Sequence, residues 1–163
     1  MGLSVLVGRV KALCLKWYGP AGTDVKLGTQ TILIVDDEAE DRQSLRTTLE
    51  GRGDTVLEAS NYCSAVKTFE EHRDDIDLLI TDLSLPDRNG CELAKSILQS
   101  RPDMKVLFIS GHVGAELCRF YGLGSPGRHF LEKPFKPIEL LVRVWRVLFS
   151  QGRFHFDNFN RAA

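Results

Sequence analysis

Asp77-Leu78-Leu79-Ile80-Thr81-Asp82-Leu83-Ser84-Leu85-Pro86 is the stretch that decides how the chain is read. Its apolar run is too short for a helix and ends in one carboxylate, Asp82, where Pro86, Asp87, Asn89 and Gly90 force the backbone to turn. A strand that stops in a charge has two readings. A turn or helix-capping aspartate is the common one. In an open parallel sheet, chemistry collects at the carboxyl ends of the strands, so there the same aspartate reads as a site residue. The choice depends on whether the rest of the chain builds such a sheet.

Outward from this stretch, the chain alternates strand and helix. Thr31-Ile32-Leu33-Ile34-Val35 is β-branched and apolar on both faces, as a central parallel strand requires. Asp36, Asp37 and Glu38 follow it into a helix expected over 39–52, with Glu40 and Asp41 near its positive end and Gly51 and Gly53 beyond its last turn. The apolar stripe of that helix is thin, resting on Leu45 and Leu49. Residues 55–59 form a second short strand, after which Ser60 or Asn61 caps a helix carrying Ala65, Val66 and Phe69. Past the Asp82 turn, Leu93, Ala94, Ile97 and Leu98 repeat at helical spacing until Pro102. A fourth strand over 105–109 ends in Ser110-Gly111-His112, with His112 read as a solvated loop residue. A weaker helix over 115–121 and a glycine-rich loop over 122–127 lead to a fifth strand at 129–132. Lys133-Pro134-Phe135-Lys136-Pro137 then opens a last helix with Leu141, Val144, Trp145 and Leu148 on one face. Five strands alternating with five helices predict an α/β fold. It is a doubly wound, flavodoxin-like parallel sheet with strand order 2-1-3-4-5, covered on both faces by right-handed crossovers.

Composition narrows the function classes. A chain of 163 residues with 43% hydrophobic and 26% charged residues has the make-up of one ordinary globular domain with short extensions. A net charge of -1 gives no basic field, which disfavours nucleic acid as a direct ligand. Cys14, Cys63, Cys91 and Cys118 are scattered without a Cys-x-x-Cys or a neighbouring His pair, so they read as reduced thiols of a cytoplasmic protein and not as a zinc site. The amino-terminal stretch is apolar but interrupted by Arg9, Lys11 and Lys16. It is a poor membrane span, and it lacks the early basic segment of a signal peptide. Residues 1–29 are expected to be a flexible extension, residues 30–150 the folded domain and residues 151–163 a tail.

The strand ends can now be taken together. The first and third strands are neighbours in the expected sheet, so Asp36 and Asp37 should stand close to Asp82. Two like charges about 4 Å apart repel by roughly 4 kcal/mol at an effective dielectric near 20, so the cluster requires protons or a divalent cation. Oxygen donors with room for waters suit Mg²⁺ better than a transition metal. Ser110 ends the fourth strand and Lys133 follows the fifth, bringing a hydroxyl and an ammonium toward the same acids. That set is suited to binding and neutralising a transferred phosphoryl group, with Asp82 as the nucleophile. Taken singly, each residue has a bland role as a cap, turn or surface charge. An acid pair, an acid, a hydroxyl and a lysine at the ends of four different strands are not so easily dismissed.

The motifs Ile32-Leu33-Ile34-Val35-Asp36-Asp37-Glu38, Leu79-Ile80-Thr81-Asp82-Leu83-Ser84-Leu85-Pro86, Phe108-Ile109-Ser110-Gly111 and Glu132-Lys133-Pro134-Phe135 resemble those of the receiver domain of bacterial two-component response regulators. The endings of the last two look most like receivers attached to hybrid histidine kinases. The resemblance implies that Asp82 accepts a phosphoryl group from a histidine kinase or phosphotransfer protein. It implies Mg²⁺ bound by Asp37, Asp82 and the Ser84 carbonyl, with Asp36 acting through a metal-bound water. Ser110 and Lys133 would contact phosphoryl oxygens, and Phe130 would be the switch aromatic that turns inward as Ser110 moves. The protein would be a phosphoacceptor with self-catalysed phosphotransfer and autodephosphorylation, not an enzyme acting on other substrates. Arg88 and Asn89 depart from the usual apolar-Asp pair before Gly90, which bears on kinase choice and loop dynamics.

Output is expected through protein contact or phosphate relay, with a homodimer through the fourth helix, fifth strand and last helix as one form. A phosphatase of the haloacid dehalogenase type also uses an Asp nucleophile with Mg²⁺. Its acids form an Asp-x-Asp after the first strand, which Asp82-Leu83-Ser84 does not match. A receiver-like module that binds partners without phosphorylation is the other alternative. Dinucleotide and nucleoside-triphosphate sites fail for want of their glycine-rich loops.

Overall fold

Five short strands, β1 (Thr31–Val35), β2 (Thr55–Ala59), β3 (Leu78–Asp82), β4 (Lys105–Ser110) and β5 (Phe130–Glu132), pair in parallel in the order β2-β1-β3-β4-β5. The structure is a computed structural model that describes residues 29–111 and 129–149. Four helices lie within those residues: α1 (Ala39–Glu50), α2 (Tyr62–Glu71), α3 (Gly90–Ser100) and α4 (Pro137–Leu148). The helix expected at 115–121, the glycine-rich loop, His112, and nearly all of the two extensions fall outside the described residues. The expected α/β fold and strand order are those found.

The absence of polar alternation in the strands has its explanation in the two faces of the sheet. Leu33, Val35, Leu79, Val106, Phe108 and Phe130 pack on one side against Ala65 and Phe69 of α2 and Leu93, Ala94 and Ile97 of α3. Ile32, Ile34, Ile80, Leu107, Ile109 and Leu131 pack on the other against Leu45 and Leu49 of α1 and Leu140, Leu141, Val144 and Trp145 of α4. Each fully buried side chain of this size contributes about 1.5–3 kcal/mol, so the sheet centre is where the fold is strongest. All five residues of β3 are buried. Asp82 is therefore the polar end of the most enclosed strand.

Local chemistry fixes the helix ends. Asn61, not Ser60, caps α2: its side chain accepts the Ser64 N–H at 2.8 Å, and Ser64 Oγ accepts the Asn61 N–H at 3.3 Å. Asn89 caps α3 by accepting the Glu92 N–H at 2.9 Å. In α4, Pro137 opens the first turn and Glu139 reaches back to the Lys136 N–H at 2.7 Å. α1 stops two residues short of the expected Arg52. Gly53 turns the chain with φ 99°, and Arg52 is buried against Asp54 instead of continuing the helix. The buried stripe of α4 is also broader than expected, comprising Leu140, Leu141, Val144, Trp145 and Val147, while Leu148 is half-buried. A helix laid on a sheet covers a wider arc than one seam of residues.

Candidate functional site

The sheet register sets up the site. β1 and β3 run side by side with Val35 opposite Thr81, so the next residues, Asp36 and Asp82, leave the sheet together at its carboxyl edge. Asp82 faces Ile109 across to β4, and Ser110 pairs with Glu132 of β5, placing Lys133 one residue beyond the same edge. The Lys133 N–H donates to the Ser110 carbonyl at 2.8 Å, which fixes where the lysine side chain departs.

From there the ammonium reaches back over the strand ends. Lys133 Nζ donates to Asp36 Oδ2 at 2.7 Å, Asp82 Oδ2 at 2.8 Å and Asp41 Oδ2 at 2.6 Å. Three carboxylates on one ammonium leave the group two charges negative when all are ionised. Burial pushes the Asp36 carboxyl above its ordinary range, against hydrogen bonds from Lys133 and from the Glu38 N–H that lower it. Lys133 shows the opposite balance. Burial works against its charge, but the hydrogen bonds to Asp36, Asp41 and Asp82 outweigh it and hold the ammonium above the usual lysine value.

The remaining carboxylate atoms are oriented by the backbone. Asp36 Oδ1 accepts the Glu38 N–H at 2.9 Å, and Asp82 Oδ1 accepts the Ser84 N–H at 2.7 Å. Arg42 Nη1 donates to the carbonyls of Asp36 at 2.6 Å and Asp37 at 3.1 Å, clamping the acidic turn from the first helix. Behind Asp82 the chain passes so closely that only glycine fits. A Cβ on Gly90 would lie 2.1 Å from the Asp82 carbonyl oxygen. The intervening loop is strapped to α2. The Asp87 carboxylate accepts the N–H groups of Tyr62 at 2.8 Å and Cys63 at 3.0 Å, and the Arg88 guanidinium sits 4.9 Å from the centre of the Tyr62 ring. Desolvation raises the Asp87 carboxyl, but the backbone N–H bonds from Tyr62, Cys63 and Arg88 together outweigh it and hold the group below its ordinary value.

Set against the sequence reading, Asp36, Asp82 and Lys133 are brought into direct contact. Asp37 is exposed, and the third acid on the ammonium is Asp41. Ser110 is buried at the end of β4, but its side chain is not among the hydrogen-bond partners of the three acids. Phe130 is buried beside Phe108, its register partner. Ser84 is exposed at the start of the loop. Among the described residues, no three His, Cys, Asp or Glu side chains form a ready-made metal cage. Asp41 and Arg42 were missed because acids and bases in the first turns of a helix ordinarily serve only its dipole and surface. The signal that could have found them is their position, on the helix that directly follows the Asp36-Asp37 turn.

Comparison with known proteins then places the arrangement. The family model for the response regulator receiver domain matches residues 32–145. The chain belongs to that family. Among curated relatives, the sensor kinase CckA of Brucella abortus is 31% identical over 125 residues, covering 76% of this chain and 13% of that protein. The aerobic respiration control protein ArcA of Escherichia coli K12 is 33% identical over 120 residues, covering 74% of this chain and 49% of that protein. The receiver matches about half the length of ArcA and a small part of CckA. Among solved structures, the HemR receiver domain of Leptospira biflexa superposes with a TM-score of 0.65 at 32% identity, covering 76% of this chain and 98% of that one. A CheY-like receiver from Methanospirillum hungatei gives 0.66 at 29% identity, covering 74% and 94%. Phosphorylation and Mg²⁺ are typical of this two-component family, and no helix among the described residues is long and apolar enough to cross a membrane.

Proposed function

We propose that this receiver takes a phosphoryl group on Asp82 from a histidine kinase or phosphotransfer protein and signals through a changed protein-binding surface. The observation that carries the reading is the Lys133 ammonium bonded at once to Asp36 and Asp82, at the carboxyl ends of neighbouring strands. An Asp82 carboxylate oxygen attacks phosphorus, the phosphorus–nitrogen bond of the donor histidine breaks, and its electron pair stays on the imidazole. The product is an acyl phosphate. Lys133 supplies positive charge where the phosphoryl oxygens arrive, and the Ser84 N–H holds the other Asp82 oxygen in place. The same groups serve hydrolysis, in which water attacks phosphorus, the bond from phosphorus to the Asp82 oxygen breaks and phosphate leaves with the carboxylate regenerated, so transfer and loss are both the receiver's own chemistry.

The donor set suits a hard divalent cation, since the acids carry more negative charge than Lys133 neutralises and all offer oxygen. Asp36, Asp37 and Asp82, with the Ser84 carbonyl, are the residues that would hold Mg²⁺. When bound, the ion neutralises charge on the transferring phosphoryl group. The phosphoryl group brings about -1.5 to -2 charges and three acceptor oxygens. Ser110 and Lys133 move toward it, and Phe130, lying in β5 opposite Phe108, repacks in response. The surface around β5 and the last helix is the output region, whether its partner is a second copy or another protein. The chain acts in the cytoplasm, where kinase domains supply the phosphodonor.

Intact mass after incubation with acetyl phosphate and Mg²⁺ tests this. One phosphoryl group, about 80 Da, should appear on the wild type and be absent without Mg²⁺ and in Asp82→Asn. Failure with both acetyl phosphate and a phosphohistidine donor would leave a binding module that works unphosphorylated.

A further inference from the structure

Asp41 has no part in the phosphoacceptor chemistry described above, yet it makes the shortest of the three bonds to Lys133, at 2.6 Å. A lysine ammonium has three N–H donors and no more. Here all three are spent on carboxylates, so Lys133 cannot donate to an arriving phosphoryl oxygen without giving one up. The three acceptors are not equivalent. The side chains of Asp36 and Asp82 are 1% and 10% exposed, whereas that of Asp41 is 38% exposed. A buried carboxylate released from its cation is left without solvent, while an exposed one is taken up by water. A cleft of about 240 Å³ is lined by Asp41, Ser44, Leu45, Lys133, Pro134 and Phe135, so the Asp41 carboxylate borders open space while Asp36 and Asp82 are not among its lining residues.

We infer that Asp41 is a positioning residue that ties back the third N–H of Lys133 in the unphosphorylated receiver and must release it before the phosphoryl group is held. This rests on Asp82 being the acceptor. The tie slows phosphorylation in two ways that share a sign: it occupies a donor the incoming oxygens need, and it adds a negative charge beside an anionic reactant. Asp41→Asn keeps the shape and an acceptor oxygen but loses the charge, and Asp41→Ser shortens the side chain so that it no longer reaches. Glu40→Gln removes an equal charge from the same turn of α1 at an exposed side chain that is not among the Lys133 partners.

The test is the rate constant for phosphorylation of the full chain by acetyl phosphate with Mg²⁺, followed by intact mass. Measurements at low salt and at about 0.5 M salt separate direct bonding from long-range charge, which salt screens beyond a few ångströms. Asp41→Asn and Asp41→Ser are expected to react about fivefold faster than wild type at both salt concentrations, the scale of one partly exposed charge-assisted hydrogen bond. Glu40→Gln should stay within about twofold of wild type, given the small effect of exposed charges. Unchanged or slower reaction in both Asp41 variants overturns the inference, as does an equal gain in Glu40→Gln, which would make it a matter of charge alone. If the wild type is phosphorylated on Asp82 but the variants match it, only the tie-back fails. If the wild type takes no phosphoryl group from any donor, the acceptor reading fails and this inference falls with it.

Discussion

Gly90→Ala asks whether the enclosure of Asp82 is as tight as the structure shows. The added Cβ would meet the Asp82 carbonyl oxygen at 2.1 Å, Thr81 Oγ1 at 2.9 Å and the Asp82 carbonyl carbon at 3.0 Å. An ordinary carbon–oxygen contact is above 3 Å, so the backbones must part by about 1 Å, and neither is free to move. Asp82 belongs to a strand paired on both sides, and the Gly90 N–H donates to the Leu83 carbonyl at 3.0 Å as α3 begins. Overpacking of this kind costs about 1–3 kcal/mol. The gain in helix propensity from glycine to alanine, at most about 1 kcal/mol and less in a first turn, does not offset it. At roughly 4 °C per kcal/mol for a domain of this size, the melting temperature should fall by about 4–12 °C. Since the displaced atoms include the main chain of Asp82 itself, phosphorylation should also slow. Thermal melting followed by circular dichroism, alongside the acetyl phosphate rate, reads both. A Gly90→Ala protein that melts within about 1 °C of wild type and is phosphorylated at the same rate would refute the close packing behind Asp82, since contacts this short always cost something.

Other perturbations test the parts separately. Lys133→Met leaves the buried Asp36 and Asp82 without their cation, and should cost about 1–3 kcal/mol in urea unfolding at pH 7, discounted for the partial exposure of the lysine. Asp36 already has its carboxyl raised, so its protonation favours the folded state; the Lys133→Met deficit should therefore shrink as pH falls toward 4. A deficit that grows on acidification would contradict this. Asp87 has its carboxyl lowered, so its stabilisation is present above its ordinary value of 3.8 and is lost as pH falls below it. Asp87→Asn should accordingly be less stable than wild type at pH 7, by a margin that narrows as pH falls below 3.8. Asn61→Ala removes the α2 capping box and should cost about 0.5–2 kcal/mol, measured by the same unfolding curves, with no effect on phosphorylation rate.

Much of this was legible because it depends on the order of residues along strands. An apolar run ending in Asp82, a second ending before Asp36 and a third ending in Ser110 place three polar groups at one sheet edge in any parallel arrangement. Contacts made by long side chains across that edge were not legible. Asp37 and Asp41 look alike in sequence, and only the path of the Lys133 side chain shows that the ammonium lies against Asp41. Asp87 likewise read as a turn residue, because nothing in the order of residues places the N-terminus of α2 within reach of its carboxylate. The premature end of α1 follows from burial of Arg52 on Asp54, a pairing two residues apart that no helical period describes.

The central claim is that Asp82 itself takes the phosphoryl group. After reaction with acetyl phosphate and Mg²⁺, borohydride reduction converts a phosphoaspartyl residue to homoserine, and peptide mass spectrometry locates it. The account predicts homoserine at position 82 alone. Homoserine at 36, 37 or 41, with position 82 left as aspartate, would contradict it.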